Sequence, residues 1–276
     1  MKLLQMADRV RYSRMTTTEL RETFLLEGLF QPGTIDCRYV DVDRTVIGSA
    51  VPTAAALVLA SDPMLRAEYF LERRELGVLN VGGAGTVTVD GAKFELGKLD
   101  CLYVGRGSKS VEFSSNSPAS PASFYLLSYP AHKEYPTAMV KFADLEGLKL
   151  GAVETCNKRA IYKAIHKDGL QSCQLVMGFT LLETGSNWNT MPPHSHARRS
   201  EIYFYFDMEE AHRVVHLMGP TDETKHLMVA DKQVTISPGW SIHAGVGTKN
   251  YAFCWGMGGE NQDYSDMDLA TIAELK

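Results

Sequence analysis

Residues 191–206 read MPPHSHARRSEIYFYF. His194 and His196 stand two residues apart, and Glu201 opens an alternating aromatic run after the polar Ala-Arg-Arg-Ser. In a β-strand, side chains at i and i+2 project from one face. His194 and His196 can therefore present two imidazoles to a single ion. Glu201 has the opposite parity, so it joins them only if the chain turns between His196 and Glu201. Beyond that turn Glu201, Tyr203 and Tyr205 share one face, and Ile202, Phe204 and Phe206 the other. The glutamate face is expected to line a pocket, and the Ile/Phe face to pack against the rest of the protein.

A third histidine follows in VTISPGWSIHAGVG, residues 234–247, where Pro238-Gly239 marks a turn between two strands ahead of His243. Strand, turn and histidine are a means of bringing a distant ligand beside the first three. Three neutral imidazoles and one carboxylate form an N3O donor set that suits Zn, Mn, Fe, Co or Ni. His132, His166, His212, His216 and His226 lack such a setting. His216 and His226 sit in apolar strands and read as structural histidines.

Working outward, the texture is that of short strands. VLNVGG, GTVTVDG, CLYVGRG, SVEFSS and SFYLLSY precede CQLVMGFTLL, RVVHLMG, KHLMVA, QVTISP and YAFCWGM. Asp90-Gly91 after Val87-Thr88-Val89 is a hairpin signal, because both residues tolerate positive φ. Many short strands punctuated by Gly, Asp-Gly and Ser-Pro predict an all-β sandwich or barrel. A helix is expected near Arg21–Leu26, capped by Thr18 and ended at residues 31–33, QPG. SSNSPASPAS, residues 114–123, reads as a surface loop, and EYPTAMVKFADLEGLKLG, residues 134–151, as a linker. The tail, SDMDLATIAELK, predicts a short helix capped by Ser265 or Asp266.

An internal repeat lays YFLERRELGVLNVGG over HSHARRSEIYFYFDM, with Arg73-Arg74 on Arg198-Arg199. Tyr69 and Leu71 then fall where His194 and His196 stand. The reading is two copies of one β fold: residues 1–140 without metal ligands, and 141–276 with the metal site.

Composition narrows the function classes. The 276 residues carry a formal charge of −5 with 45% hydrophobic and 22% charged residues, which argues against a general nucleic-acid binder. No apolar run approaches the roughly 18 residues of a membrane span. The charged start, MKLLQMADRVRYSRM, lacks a leader's apolar stretch, so a cytoplasmic location is expected. The five cysteines, at 37, 101, 156, 173 and 254, form no CxxC pair. They read as small apolar residues, with Cys254 alone near the expected site.

His-x-His, four residues, Glu, and a later Pro-Gly strand with His resembles the cupin signature. The pattern departs from it in two places: Pro238 and Gly239 are adjacent, and no Asn follows His243 closely. The longer stretches FLERRELGVLNVGGAGTVTVDG, WNTMPPHSHARRSEIYFYF, ISPGWSIHAGVGTKNYAFCWGMGGENQ and the closing DMD resemble the 4-deoxy-L-threo-5-hexosulose-uronate ketol-isomerase family. That resemblance implies a bicupin of two double-stranded β-helix jelly-roll barrels with a few short helices. It also implies one zinc ion per subunit, held by His194, His196, Glu201 and His243, and a homohexamer. The implied reaction is conversion of 5-dehydro-4-deoxy-D-glucuronate to 3-deoxy-D-glycero-2,5-hexodiulosonate in pectin and uronate degradation.

Such an aldose–ketose isomerisation moves a carbonyl from C1 to C2 through an enediol. A Lewis acid on the two oxygens and a general acid/base for the proton are both required. Glu201, Glu260 and Tyr203 are the candidate catalytic groups, with Tyr205 a rival on the same face. Arg198, Arg199 and Arg73 are candidates for the substrate carboxylate because a guanidinium fork matches it; Lys249 is a weaker one. Trp188 is a candidate pocket wall. Two other classes are compatible with a metal cupin: an Fe(II) dioxygenase and a non-catalytic sugar-binding bicupin.

Overall fold

The computed structural model describes residues 1–258 and 266–276. It is all-β with a few short helices. Two compact units divide the chain, and neither is contiguous. The first comprises Met1–Leu4, Leu29–Leu145 and Ala164–Met177; the second comprises Gln5–Gly28, Glu146–Lys163 and Gly178–Lys276. A single cut near residue 140 therefore does not describe the packing. Residues 5–28 belong with the C-terminal strands because Leu25–Leu26 pairs with Gln233–Ser237 and the buried Tyr12 hydroxyl donates to the Met218 carbonyl at 2.9 Å.

In the first unit a seven-stranded sheet runs in the order Lys2–Leu4, Ile35–Val40, Thr45–Ala50, Phe124–Pro130, Arg74–Asn80, Cys101–Val104, Ala138–Val140. A four-stranded sheet runs Leu57–Val58, Val111–Ser115, Gly85–Val89, Ala92–Leu96. Leu76, Val78 and Leu126 from the larger sheet and Val87, Val89 and Phe113 from the smaller share one apolar core. Leu71 also lies in that core, so the repeat's counterpart of His196 is a packing residue.

The second unit repeats this arrangement. Its larger sheet runs Leu148–Leu150, Arg159–Ile165, Val176–Leu182, Ala252–Gly258, Ser200–Phe206, Gln233–Ser237, Leu25–Leu26, and its smaller one Trp188–Asn189, Ile242–Gly247, Val214–Gly219, Lys225–Val229. A two-stranded ladder, His194–Ser195 with Asp268–Leu269, is added. Ser200–Phe206 lies between Ala252–Gly258 and Gln233–Ser237. Every residue of that strand is buried, as a strand covered on both faces requires.

Several local expectations need correction. The N-terminal segment forms two helices, Arg9–Arg14 and Thr17–Phe24, not one. The cap is Thr16 rather than Thr18, because Thr16 and Glu19 exchange side-chain and backbone bonds as a capping box. Leu25–Leu26 leaves the helix to become an edge strand. The stretch read as a linker contains the edge strands Ala138–Val140 and Leu148–Leu150, recruited by Cys101–Val104 and Arg159–Ile165. The tail forms Asp268–Leu269 and a 3-10 turn, Ile272–Glu274, capped by Thr271. Asp266 is committed elsewhere.

Candidate metal centre

Three strands of the second unit, with the turn between two of them, deliver the four candidate donors. His194 stands in the short ladder strand His194–Ser195 and His196 immediately follows it. Ala197 and Arg198 then form the turn that the parity of Glu201 demanded. Glu201 comes next, on the Ser200–Phe206 strand of the larger sheet. His243 comes from the smaller sheet, on Ile242–Gly247, opposite Met218. The turn before it closes with the Ser241 amide donating to the Pro238 carbonyl at 2.8 Å. Gly239 is required there: a Cβ would stand 2.7 Å from the His196 carbonyl oxygen, closer than a side-chain carbon tolerates.

The donor atoms of His194, His196, Glu201 and His243 all lie within 4.8 Å of one another. His196 Nε2 is 2.8 Å from Glu201 Oε2, His243 Nε2 is 3.3 Å from the same oxygen, and the Nε2 atoms of His194 and His243 are 3.0 Å apart. Metal–ligand bonds of about 2.0–2.1 Å in a tetrahedron put neighbouring donors roughly 3.3 Å apart. These three separations lie within about 0.5 Å of that spacing. His196 Nε2 and Glu201 Oε2 are buried, and neither has a hydrogen-bond partner of good geometry among the described residues. Buried polar atoms left so are costly, and convergence on a cation removes the cost. The residues therefore fit a divalent transition metal.

Protonation favours the same conclusion. Burial depresses His194 to about 4, partly opposed by the charge of Glu201. Burial likewise holds His243 well below its ordinary value. Burial alone would raise Glu201, but His243 and His196 outweigh it and hold the carboxyl down to about 2. At neutral pH all three groups are in the deprotonated form that ligates metal.

Behind the four donors lies a carboxylate, Asp266, expected from sequence to cap a helix. Asp266 Oδ1 is 2.6 Å from Nη2 of Arg199 and 3.4 Å from Nδ1 of His196, while its Oδ2 is 3.3 Å from Arg198. A carboxylate on the far nitrogen of a ligating histidine sets ring orientation and tautomer. Arg199 is 4% exposed, and its charge is met by Asp266.

A cavity of about 270 Å³ opens on the cluster. It is lined by His194, His196, Glu201 and Tyr203, and by Phe253, Trp255 and Met257. Arg159 also lines it and is its one Arg or Lys side chain among the described residues. No motif points to Arg159, which sits in the segment 151–163. The alternation in RAIYKAI, which puts Arg159 and Ile161 on one face, was the available signal.

The other sequence candidates separate clearly. Tyr203 lines the cavity, its hydroxyl 2.9 Å from Thr190 Oγ1 and its ring 5.2 Å from that of His243. Thr190 holds φ at +49°, a conformation disfavoured for a β-branched residue. Tyr205 is fully buried, with its hydroxyl 2.8 Å from Nδ1 of His216. The glutamate face thus lines the cavity only as far as Tyr203. Ile202, Phe204 and Phe206 are buried on the opposite face, as expected, with the two phenylalanine rings stacked at 5.4 Å.

Trp188 is half-buried opposite Val246 and is absent from the cavity lining. Lys249 is exposed and paired with Glu209. Arg198 is exposed. Arg73 belongs to the first unit, where it pairs with Glu72 at 2.9 Å. Cys254 is buried and does not line the cavity. His216 is the structural histidine expected, whereas His226 is exposed. Glu260 lies outside the described residues.

Among the described residues no helix is long and apolar enough to cross a membrane. An IolB-like protein of Salmonella typhimurium superposes with a TM-score of 0.72, covering 90% of this chain and 96% of that one at 13% identity. This likeness places the fold among all-β cupin-like architectures. The sequence is 54% identical over 265 residues to a 4-deoxy-L-threo-5-hexosulose-uronate ketol-isomerase of Caldicellulosiruptor bescii, covering 96% of each chain. It is 52% identical to the enzyme of the same name from Shouchella clausii, again covering 96% of each. The family profile matches residues 29–272, a span that takes in most of both units and all four converging donors. On that match, and on relatives alike over nearly their whole length, the chain belongs to the KduI/IolB family.

Proposed function

We propose that this protein is a metal-dependent ketol-isomerase that converts 5-dehydro-4-deoxy-D-glucuronate to 3-deoxy-D-glycero-2,5-hexodiulosonate in pectin and uronate degradation. The observation that carries the reading is a buried His3Glu cluster opening into a cavity with one arginine. That combination suits a substrate with a hydroxy-carbonyl group at one end and a carboxylate at the other. The relatives' names support the same chemistry.

His194, His196, Glu201 and His243 hold one zinc per subunit in this reading. When bound, the metal supplies Lewis acidity to the substrate oxygens. The chain's own residues do the rest. Arg159 takes the carboxylate, a role its half-buried place on the cavity wall supports better than that of Arg199, whose charge Asp266 already meets. The Tyr203 hydroxyl, hydrogen-bonded to Thr190 Oγ1, holds and passes the proton between C2 and C1; Glu260, and Glu201 if it leaves the metal, are the rival candidates. Phe253, Trp255 and Met257 exclude water, which strengthens every charge interaction inside. We further propose that the chain is a duplicated cupin, that only its C-terminal copy is catalytic, and that it works as a cytoplasmic homohexamer. The matching strand orders of the two units support the duplication.

The test is NMR of the purified, zinc-loaded protein with 5-dehydro-4-deoxyglucuronate in D2O. Formation of the 2,5-diketo acid supports the reading, and deuterium at the hydroxymethyl carbon that was C1 of the substrate identifies proton exchange through an enediol. No conversion by protein with zinc bound refutes it. Oxygen consumption by an iron-loaded sample would move the assignment to a dioxygenase.

A further inference from the structure

We infer that the first unit carries a second ligand site, separate from the metal centre, for a small organic anion: a sugar derivative bearing a carboxylate or a phosphate. The site is a cavity of about 380 Å³ lined by Arg44, Arg73, Arg74 and Arg106, with Tyr39 and His132 beside them.

The charge balance of these arginines is what points to a ligand. Arg74 is 6% exposed, and burial pushes its guanidinium down to about 10, still a cation at neutral pH. Its bonds go to neutral acceptors: the Arg44 carbonyl at 2.7 Å, the Ser128 carbonyl at 2.7 Å and Ser128 Oγ at 3.1 Å. Arg106 donates to the carbonyls of Glu72 and Ala131. Among the described residues neither makes an ion pair, and nor does Arg44. Glu72, paired with Arg73, is the one carboxylate among the described residues that the four engage in an ion pair. Glu75, next to Arg74 in the chain, adds a charge that favours the Arg74 cation without pairing with it. Gathering four guanidinium groups around a cavity with so little counter-charge is unfavourable unless an anion completes it.

The second unit offers an internal comparison. The repeat that aligns Arg73-Arg74 with Arg198-Arg199 puts Arg74 and Arg199 at the same place, at the head of the fifth strand of each seven-stranded sheet: Arg74 opens Arg74–Asn80, and Arg199 immediately precedes Ser200–Phe206. Both are buried. Arg199 receives a carboxylate from the chain itself, Asp266 at 2.6 Å. Arg74 receives none, and a cavity takes the place of that carboxylate. The ligand's anionic group stands in for Asp266.

The size and lining select the ligand class. Several guanidinium forks favour planar or tetrahedral oxyanions. The Tyr39 ring, with the Arg74 guanidinium carbon 6.0 Å from its centroid, offers an aromatic face for a sugar ring. The backbone supports the site at some steric cost. Asp43 and Arg44 adopt left-handed conformations with φ of 49° and 52°, and this turn aims the Arg44 carbonyl at Arg74. Such conformations persist where the surroundings enforce them, and they concentrate at ligand sites.

The experiment is isothermal titration of the full-length protein with inorganic phosphate, D-glucuronate, D-glucose 6-phosphate and, as neutral control, D-glucose. Three proteins are compared: wild type, Arg44→Gln/Arg106→Gln, and His243→Ala. Arg44→Gln alone backs up the double variant, because Arg44 is exposed. Saturable binding of an anion, weakened at least about tenfold by the arginine substitutions and retained in His243→Ala, is the expected result. The tighter of glucuronate and glucose 6-phosphate then identifies the anion's source as carboxylate or phosphate. Equal binding of D-glucose, unchanged binding in the arginine variants, loss of binding in His243→Ala, or no saturation by about 10 mM overturns the inference.

Discussion

Replacing Asp266 with asparagine tests whether the carboxylate behind the metal centre positions His196 or only neutralises Arg199. The side chains are nearly isosteric, and asparagine keeps a carbonyl acceptor, so only charge is removed. The pair with Arg199 spans 2.6 Å between side chains 2% and 12% exposed. Two unit charges about 4 Å apart at an effective dielectric near 20 attract by roughly 4 kcal/mol. Losing one partner of a buried pair costs about 3–5 kcal/mol. The retained hydrogen bond reduces this, the lost pairing with the exposed Arg198 at 3.3 Å adds little, and a loss of about 2–3 kcal/mol is expected. For a unit of this size that lowers Tm by roughly 5–10 °C. The positioning role adds a second readout. With Asp266 beside Nδ1 of His196, Nε2 is left as the ligating nitrogen, and losing such support weakens metal binding by about 10–100-fold. Chelator competition with zinc measures it, alongside thermal melts of the metal-free protein. A lowered Tm with wild-type zinc affinity would refute the positioning role and leave Asp266 as a counter-ion only.

Three further outcomes are expected. His243→Ala should stay folded by circular dichroism yet lose bound metal by at least about tenfold and lose activity, since one of four donors is gone. Full activity in that variant would remove His243 from the site. Arg159→Gln should raise KM for the uronate by about 10–100-fold, the worth of a charge-assisted bond, with little change in kcat; steady-state kinetics decides. Burial pushes His216 from its ordinary value near 6.5 down to about 3. Below about pH 6.5 the unfolded chain binds a proton the folded one does not. Its contribution is therefore fully present above that pH and is lost as pH falls toward 3, by up to a few kcal/mol. His216→Gln should flatten the fall in Tm between pH 6.5 and 4, and an unchanged slope would assign the acid sensitivity to other groups.

The repeat carries a lesson about how much of a site a motif reports. His-x-His, the turn and Glu201 were legible because strand parity is local: i and i+2 share a face, and a change of parity demands a turn, which Ala197-Arg198 supplies. The depth of the pocket was not local. Tyr203 and Tyr205 have the same parity, yet one lines the cavity and the other bonds His216 within the core. Parity tells which face a residue takes and is silent on how far along the strand the cavity extends.

The sequence by itself determined the all-β class, the four converging donor residues and the family, because these rest on short-range alternation and on spacing within contiguous stretches. Only the tertiary structure decided the partners of the arginines. Asp266 meets Arg199 although 67 positions separate them in the numbering. Arg159 joins the metal cavity from a strand outside every motif, and Arg74 lies in another cavity with carbonyls for company. A guanidinium is drawn to charge wherever folding brings it. Charge pairing acts through space and leaves no periodic trace along the chain, so which carboxylate or cavity an arginine meets is settled only when the sheets pack.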